Sequence, residues 1–114
     1  MKVVVNNIQL DCEVAATHEQ KMQGLMHQEN PPNMVFLYDN PGYNKFWMKN
    51  TPCRLLILFC YKGEVISVEE GKPFSLKSVG PNRLSDLVIE VPYDKYVGTF
   101  QPGNKVSLYG KSRV

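Results

Sequence analysis

The densest chemistry in the chain lies in one short segment, Phe46-Trp47-Met48-Lys49-Asn50-Thr51-Pro52. It holds the only tryptophan of the chain, with a cation, an amide and a hydroxyl close behind it. In an extended backbone Trp47 and Lys49 point to one side and Met48 and Asn50 to the other. One reading makes the segment a binding rim, in which Trp47 offers a flat contact and Lys49, Asn50 and Thr51 fix polar groups. The other puts Trp47 in the core and lets Asn50 and Thr51 hydrogen-bond the backbone of their own turn. Residue types alone leave both open.

Glu90 is the second residue that invites a chemical role, being the one carboxylate in a strongly apolar strand at 87–91. A buried carboxylate must find a partner or give up its charge. Lys49, the Asn50 amide and backbone N–H groups are the partners in view. Acid–base catalysis would call for a second carboxylate that the sequence does not place. No serine sits in a G-x-S-x-G elbow, so no catalytic residue is assigned.

The cysteines are Cys12, Cys53 and Cys60. An odd count without C-x-x-C spacing argues against a disulfide framework and against a zinc site. Buried or half-buried free thiols in a reducing cytosol are expected instead. His18 and His27 would lie about 180° apart around one helix and could not share a ligand; both are expected at the surface. No metal and no cofactor is expected.

The elements that would position these residues read as mainly β. Asn6-Asn7 separates two β-prone runs and suggests a tight hairpin, because Asn tolerates positive φ. Its second arm alternates, with Ile8, Leu10, Cys12 and Val14 on one face. Thr17-His18-Glu19-Gln20 is a capping box opening a helix to about Met26, with Met22, Leu25 and Met26 as its apolar stripe. Strands follow at 34–38, 46–48, 55–61, 64–69, 87–91 and 105–109. Asp39-Asn40-Pro41-Gly42, Lys62-Gly63 and Pro102-Gly103-Asn104 read as turns. The almost wholly apolar run at 55–60 suits a strand buried on both faces. Residues 71–85 have no period and read as a long surface loop, and 93–97 as a short helical turn. The expected fold is mainly β (α+β): a small barrel-like antiparallel or mixed sheet of about seven or eight short strands with one short helix.

Composition fits one globular domain of 114 residues, 43% apolar and 21% charged. Net charge is only +2. The cations are scattered along the chain, Lys111-Ser112-Arg113 being the nearest thing to a basic tail. Phosphate-driven binding normally shows a stripe or patch, so no nucleic-acid partner is expected. The apolar run at residues 1–5 is too short for a signal peptide. No stretch approaches the ~18 apolar residues of a span. A soluble, cytoplasmic protein with no membrane partner is expected.

Taken together, several motifs resemble domain-of-unknown-function family 192. They are Gly24-Leu25-Met26, Met34-Val35-Phe36, Trp47-Met48-Lys49-Asn50-Thr51, the apolar strand at 55–59, Ile89-Glu90-Val91 and Pro102-Gly103. Their order holds from about Val14 to Leu108, and the Trp-Met-x-Asn-Thr segment is the most specific piece. The resemblance implies a small, barrel-like β fold and no settled biochemical role. This chain departs from the pattern at Leu56, where the family usually has Asp, and at Asn33, where Gly is usual. It also lacks a cysteine in the 71–85 loop.

Three functional expectations follow. The first is a non-catalytic binding or accessory domain, with a protein partner or small polar ligand at Trp47, Lys49, Asn50, Thr51 and Glu90. The second is a homo-oligomer or assembly subunit of a larger viral or multi-protein particle, contacting its neighbours through residues 71–85 and the terminal strands. The third is a small hydrolase-like enzyme with a degenerate site, whose main support would have been an Asp in place of Leu56.

Overall fold

The structure is a computed structural model that describes residues 1–110; the basic tail at 111–113 lies outside the described residues. Seven strands, β1 (Lys2–Val5), β2 (Ile8–Ala15), β3 (Asn33–Gly42), β4 (Leu55–Tyr61), β5 (Glu64–Gly71), β6 (Ser85–Pro92) and β7 (Val106–Tyr109), form one sheet in the order β5-β4-β6-β3-β2-β1-β7. The β2–β3 pair is parallel, and the other pairs are antiparallel. Its crossover carries helix α1 (His18–Gln23), and a one-turn helix α2 (Tyr93–Tyr96) follows β6. The sheet curls until its ends touch: Val65 N donates to Asn104 O, and Gly103 N donates to Val65 O. This half-barrel is the mainly β, mixed-sheet fold expected. Among the described residues no helix is long and apolar enough to cross a membrane.

Local sequence explains the sharp corners. Asn6 and Asn7 both take positive φ, as do Lys62 and Gly63, the geometry that a right-twisted two-residue hairpin demands. At α1, Thr17 accepts from Gln20 N while the Gln20 side chain accepts from Thr17 N, the reciprocal cap foreseen.

Alternation sorts side chains into two cores. Leu56, Leu58 and Cys60 of β4, Leu87, Ile89 and Val91 of β6, and Val35 of β3 pack with Val3, Val5, Leu10 and Cys12 inside the curl. Leu55, Ile57 and Phe59 of β4, Val88 of β6, and Met34 and Phe36 of β3 face outward into a second core. That core is closed by Leu25, Met48 and Cys53 from outside the sheet. Hence β4 is buried from Leu55 to Cys60, which is why it carries no polar alternation.

Several expectations are corrected. The helix stops at Gln23, and Met22 is 57% exposed, so only Leu25 and Met26 of the expected stripe turn inward. Asp39-Asn40-Pro41-Gly42 is no turn. Partner contacts with β6 let β3 run on to Gly42 across a register break after Leu37. Residues 46–48 form no strand, because only Phe46 pairs, with Val79 of the long loop.

That loop, residues 72–84 between β5 and β6, is stitched to residues 44–51 by main-chain bonds. Phe46 and Val79 exchange two, Met48 N donates to Ser75 O, and Phe74 N donates to Thr51 O. Gly80 allows the close approach: a β-carbon there would fall 2.7 Å from the Asn44 carbonyl oxygen, at a φ of +147°. Replacing Gly80 with Ala is expected to cost ~1–3 kcal/mol, read as a lower urea midpoint with an unchanged slope. A neutral result would mean that the loop is not held at this point.

Candidate functional site

The second core is not sealed. Between the α1 turn and residues 45–51 a cavity of about 260 Å³ opens from the surface down to β6. Phe36, Phe46, Met48 and Leu55 form its apolar wall, Trp47 and Lys21 stand at its mouth, and Glu90 lies at its floor. Phe46 packs edge-on against Phe36 at 4.9 Å between ring centres and against Phe59 at 5.8 Å, which fixes the wall.

Each part is held by a local device. Thr51 N donates to Met48 O, closing a four-residue turn in which Asn50 sits at φ +54°. Asn is one of the few residues that accept that conformation readily. The Asn50 carbonyl accepts from His27 N at 2.7 Å, tying the chain after α1 to the turn. The Thr51 hydroxyl donates to Lys49 O at 3.0 Å and is buried, so it serves the turn while lining the cavity. Met48 is buried, and Trp47, 46% exposed, points the other way. Trp47 is therefore not a core residue. Lys49 lies 5.2 Å from its ring centre, a cation–π contact on the outer surface.

Of the residues singled out by sequence, the cavity brings together Trp47, Thr51 and Glu90. It does not bring in Lys49 or Asn50, whose side chains are exposed outside it. None of the partners expected for Glu90 reaches it. Among the described residues the ion pairs are Arg54–Glu70 and Lys105–Glu64, and no hydrogen bond reaches the Glu90 carboxyl. Glu90 instead gives up its charge. It is 4% exposed, and burial pushes its carboxyl up to about 8 from an ordinary 4.5. Tyr38 stands near enough to feel it, its phenol being pushed up to about 12, mainly by burial and further by Glu90. The Lys21 ammonium lies 4.1 Å from the centre of the Tyr38 ring.

Tyr38, Lys21 and the Phe36–Phe46 wall were not foreseen. A signal existed: Met34, Phe36 and Tyr38 share one face of β3 by period-2 alternation, and Met34 is paired with Glu90 across the β3–β6 ladder. His18 and His27 are exposed as expected, although His18 borders the cavity. Cys12, Cys53 and Cys60 are all buried free thiols. Burial raises each, Cys12 to about 11 and Cys60 to about 12. None is poised as a nucleophile, because the reactive form is the thiolate. A thiol reagent at neutral pH should label none of the three until urea is added; rapid native labelling of Cys53, beside Glu90, would contradict this.

The neutral Glu90 makes a second prediction. The folded chain keeps this proton up to about pH 8, whereas the unfolded chain loses it near 4.5. Stability linked to Glu90 is therefore fully present below pH 4.5, falls as pH rises, and levels off above 8. Glu90→Gln should match the parent near pH 4.5 and exceed it by a few kcal/mol at pH 9. Urea titrations of both proteins across pH read the difference directly. A parallel pair of curves would mean that Glu90 is charged in the fold.

Two solved structures share this architecture. A protein of unknown function from Novosphingobium aromaticivorans DSM 12444 superposes with a TM-score of 0.83 at 24% identity, over 95% of this chain and 84% of that one. A putative transcription regulator from Sinorhizobium meliloti 1021 superposes with a TM-score of 0.81 at 24% identity, over 93% of this chain and 89% of that one. At that identity the likeness speaks for the fold alone. Among curated proteins none matches the chain. The DUF192 family, described as an uncharacterized ACR, matches residues 1–108, nearly the whole length. The Trp47–Thr51 segment and Glu90 both fall inside that match, and the chain belongs to the DUF192 family.

Proposed function

We propose that the domain is a non-catalytic binding module whose cavity takes one small molecule, hydrogen-bonded at its inner end by Glu90 and covered at its outer end by Trp47. One observation carries the reading: the carboxyl of a buried glutamate, with no protein hydrogen-bond partner among the described residues, opens into a cavity. Its oxygens face the cavity rather than a protein donor, and a titratable group perturbed by burial in a cleft is a recurring mark of a functional site. The cavity's 260 Å³ lies just below the usual range of ~300–1,000 Å³ for small-molecule sites, which suits a compact ligand. Its apolar wall suits a hydrocarbon or aromatic body. Its floor suits an amine, amide or hydroxyl head, since a neutral carboxyl both donates and accepts.

A catalytic role has less support. A neutral Glu90 has the protonation state of a general acid, but the cavity lining holds no second carboxylate and no activated nucleophile to work with it.

The test is a ligand-observed NMR screen of small amines, amides and alcohols with apolar bodies, run on the parent, Glu90→Leu and Trp47→Ala. Binders should lose about tenfold or more in affinity with Glu90→Leu and several-fold with Trp47→Ala. Because Trp47 is half exposed, the second variant should keep its thermal midpoint. Amine binders should tighten as pH rises toward 8, as the bound cation draws the proton off Glu90; neutral binders should weaken above 8. Fragments that bind all three proteins equally would sink the proposal.

A further inference from the structure

Read along the chain, the cations are scattered; the fold gathers them. Residues 43–51 and 72–84 lie side by side, joined by the bonds of Phe46, Met48 and Phe74 described above. Together they carry five of the 13 Lys and Arg residues, namely Lys45, Lys49, Lys72, Lys77 and Arg83, and none of the 11 Asp and Glu residues. All five are exposed. The Lys45 ammonium is held by the carbonyls of Gly80 and Pro81 and the side chain of Asn82, which fix its position without cancelling its charge. Lys72, at the edge, faces Glu70, whose carboxylate is paired with Arg54. The remainder of the chain is acidic on balance, so a net charge of +2 conceals a molecule with one strongly basic face.

The same face holds apolar side chains out of the core. Phe74 is 62% exposed and Leu76 67%, one on each side of Ser75, whose carbonyl is fixed by Met48. Phe74 keeps this position at φ +60°, a conformation that a bulky residue adopts only at a cost. Leu76 meets Trp47 and Lys45 around a shallow depression.

We infer that this face docks on an anionic phospholipid surface, with Phe74, Leu76 and Trp47 entering the headgroup layer and the five cations meeting lipid phosphates. Trp, Phe and Leu set among lysines is the composition of an interfacial membrane surface. Lysine is depleted from the cores of protein interfaces, and Leu76, the most exposed of the three apolar residues, adds burial area that suits a lipid layer rather than a stacking platform. The expectation of no membrane partner rested on the lack of a span, and surface docking needs none. The inference goes beyond the ligand cavity and does not depend on it.

The test is co-sedimentation with phosphatidylcholine vesicles, with and without phosphatidylglycerol, followed by the emission of Trp47, the only tryptophan. Binding should require the anionic lipid, weaken with salt and shift the emission to the blue. Each cation contributes about fivefold. Replacing Lys72, Lys77 and Arg83 with Gln should therefore reduce partitioning by about a hundredfold, with the circular dichroism spectrum unchanged. Phe74→Ser and Leu76→Ser should weaken binding and shrink the shift, and Glu90→Leu should alter neither. The inference is overturned if anionic vesicles do not bind, or if the triple variant binds as well as the parent. Capture by a single-stranded oligonucleotide or an acidic polypeptide, with vesicles ignored, would overturn it equally.

Discussion

The outer half of this molecule depends on one constraint: strands β4, β6 and β3 bury side chains on both faces, and the curl of the sheet covers only one of them. The inner face is closed mainly by the strands themselves, with Phe100 and the α2 residues Tyr93 and Tyr96 packed against it. The outer face has to be roofed by chain that belongs to no strand. The α1 turn, residues 45–53 and the long loop supply that roof, with Leu25, Met48 and Cys53 as its inward contacts. A roof made of turns and main-chain stitches packs less evenly than a sheet or helix, and the cavity lies where its parts meet over Glu90.

This accounts for the uneven legibility of the sequence. Hairpins at Asn6-Asn7 and Lys62-Gly63, the Thr17 cap and the apolar run of β4 were all readable, because each rests on backbone preference or on strict alternation within a few residues. The roof was not. Residues 46–48 look like a strand because their side chains alternate, yet their backbone partner is a loop more than twenty residues away. Asp39-Asn40-Pro41-Gly42 looks like a turn because of its composition, and tertiary pairing with β6 overrides it. Trp47 was equally compatible with core and surface until Met48 was seen to take the inward position.

The candidate site shows the same division. Glu90 could be identified as anomalous from its strand alone. Its answer to burial could not, because whether a carboxylate finds a partner or keeps its proton depends on what the roof places over it. Lys49 and Asn50 were plausible partners by proximity in sequence. The left-handed backbone at Asn50 spends that residue on the turn instead, and its carbonyl on His27. Both side chains are thereby turned away from the cavity, and the carboxyl is left to the apolar wall.

The departure from the family pattern at Leu56 bears on this division. Alternation along β4 sends Leu56 into the inner core with Leu58 and Cys60, whereas Leu55 and Ile57 face the roofed side. Glu90 shares the outer side with Val88, and pairs with Ile57 across the β4–β6 ladder. A carboxylate at position 56 would lie on the opposite face of the sheet from Glu90, so the two could not act together as an acid–base pair. Leucine there completes the apolar packing inside the half-barrel and leaves the outer cavity as it is. The features that mark the outer face, a neutral buried acid under an aromatic rim and a basic surface beside it, are therefore independent of the residue at position 56.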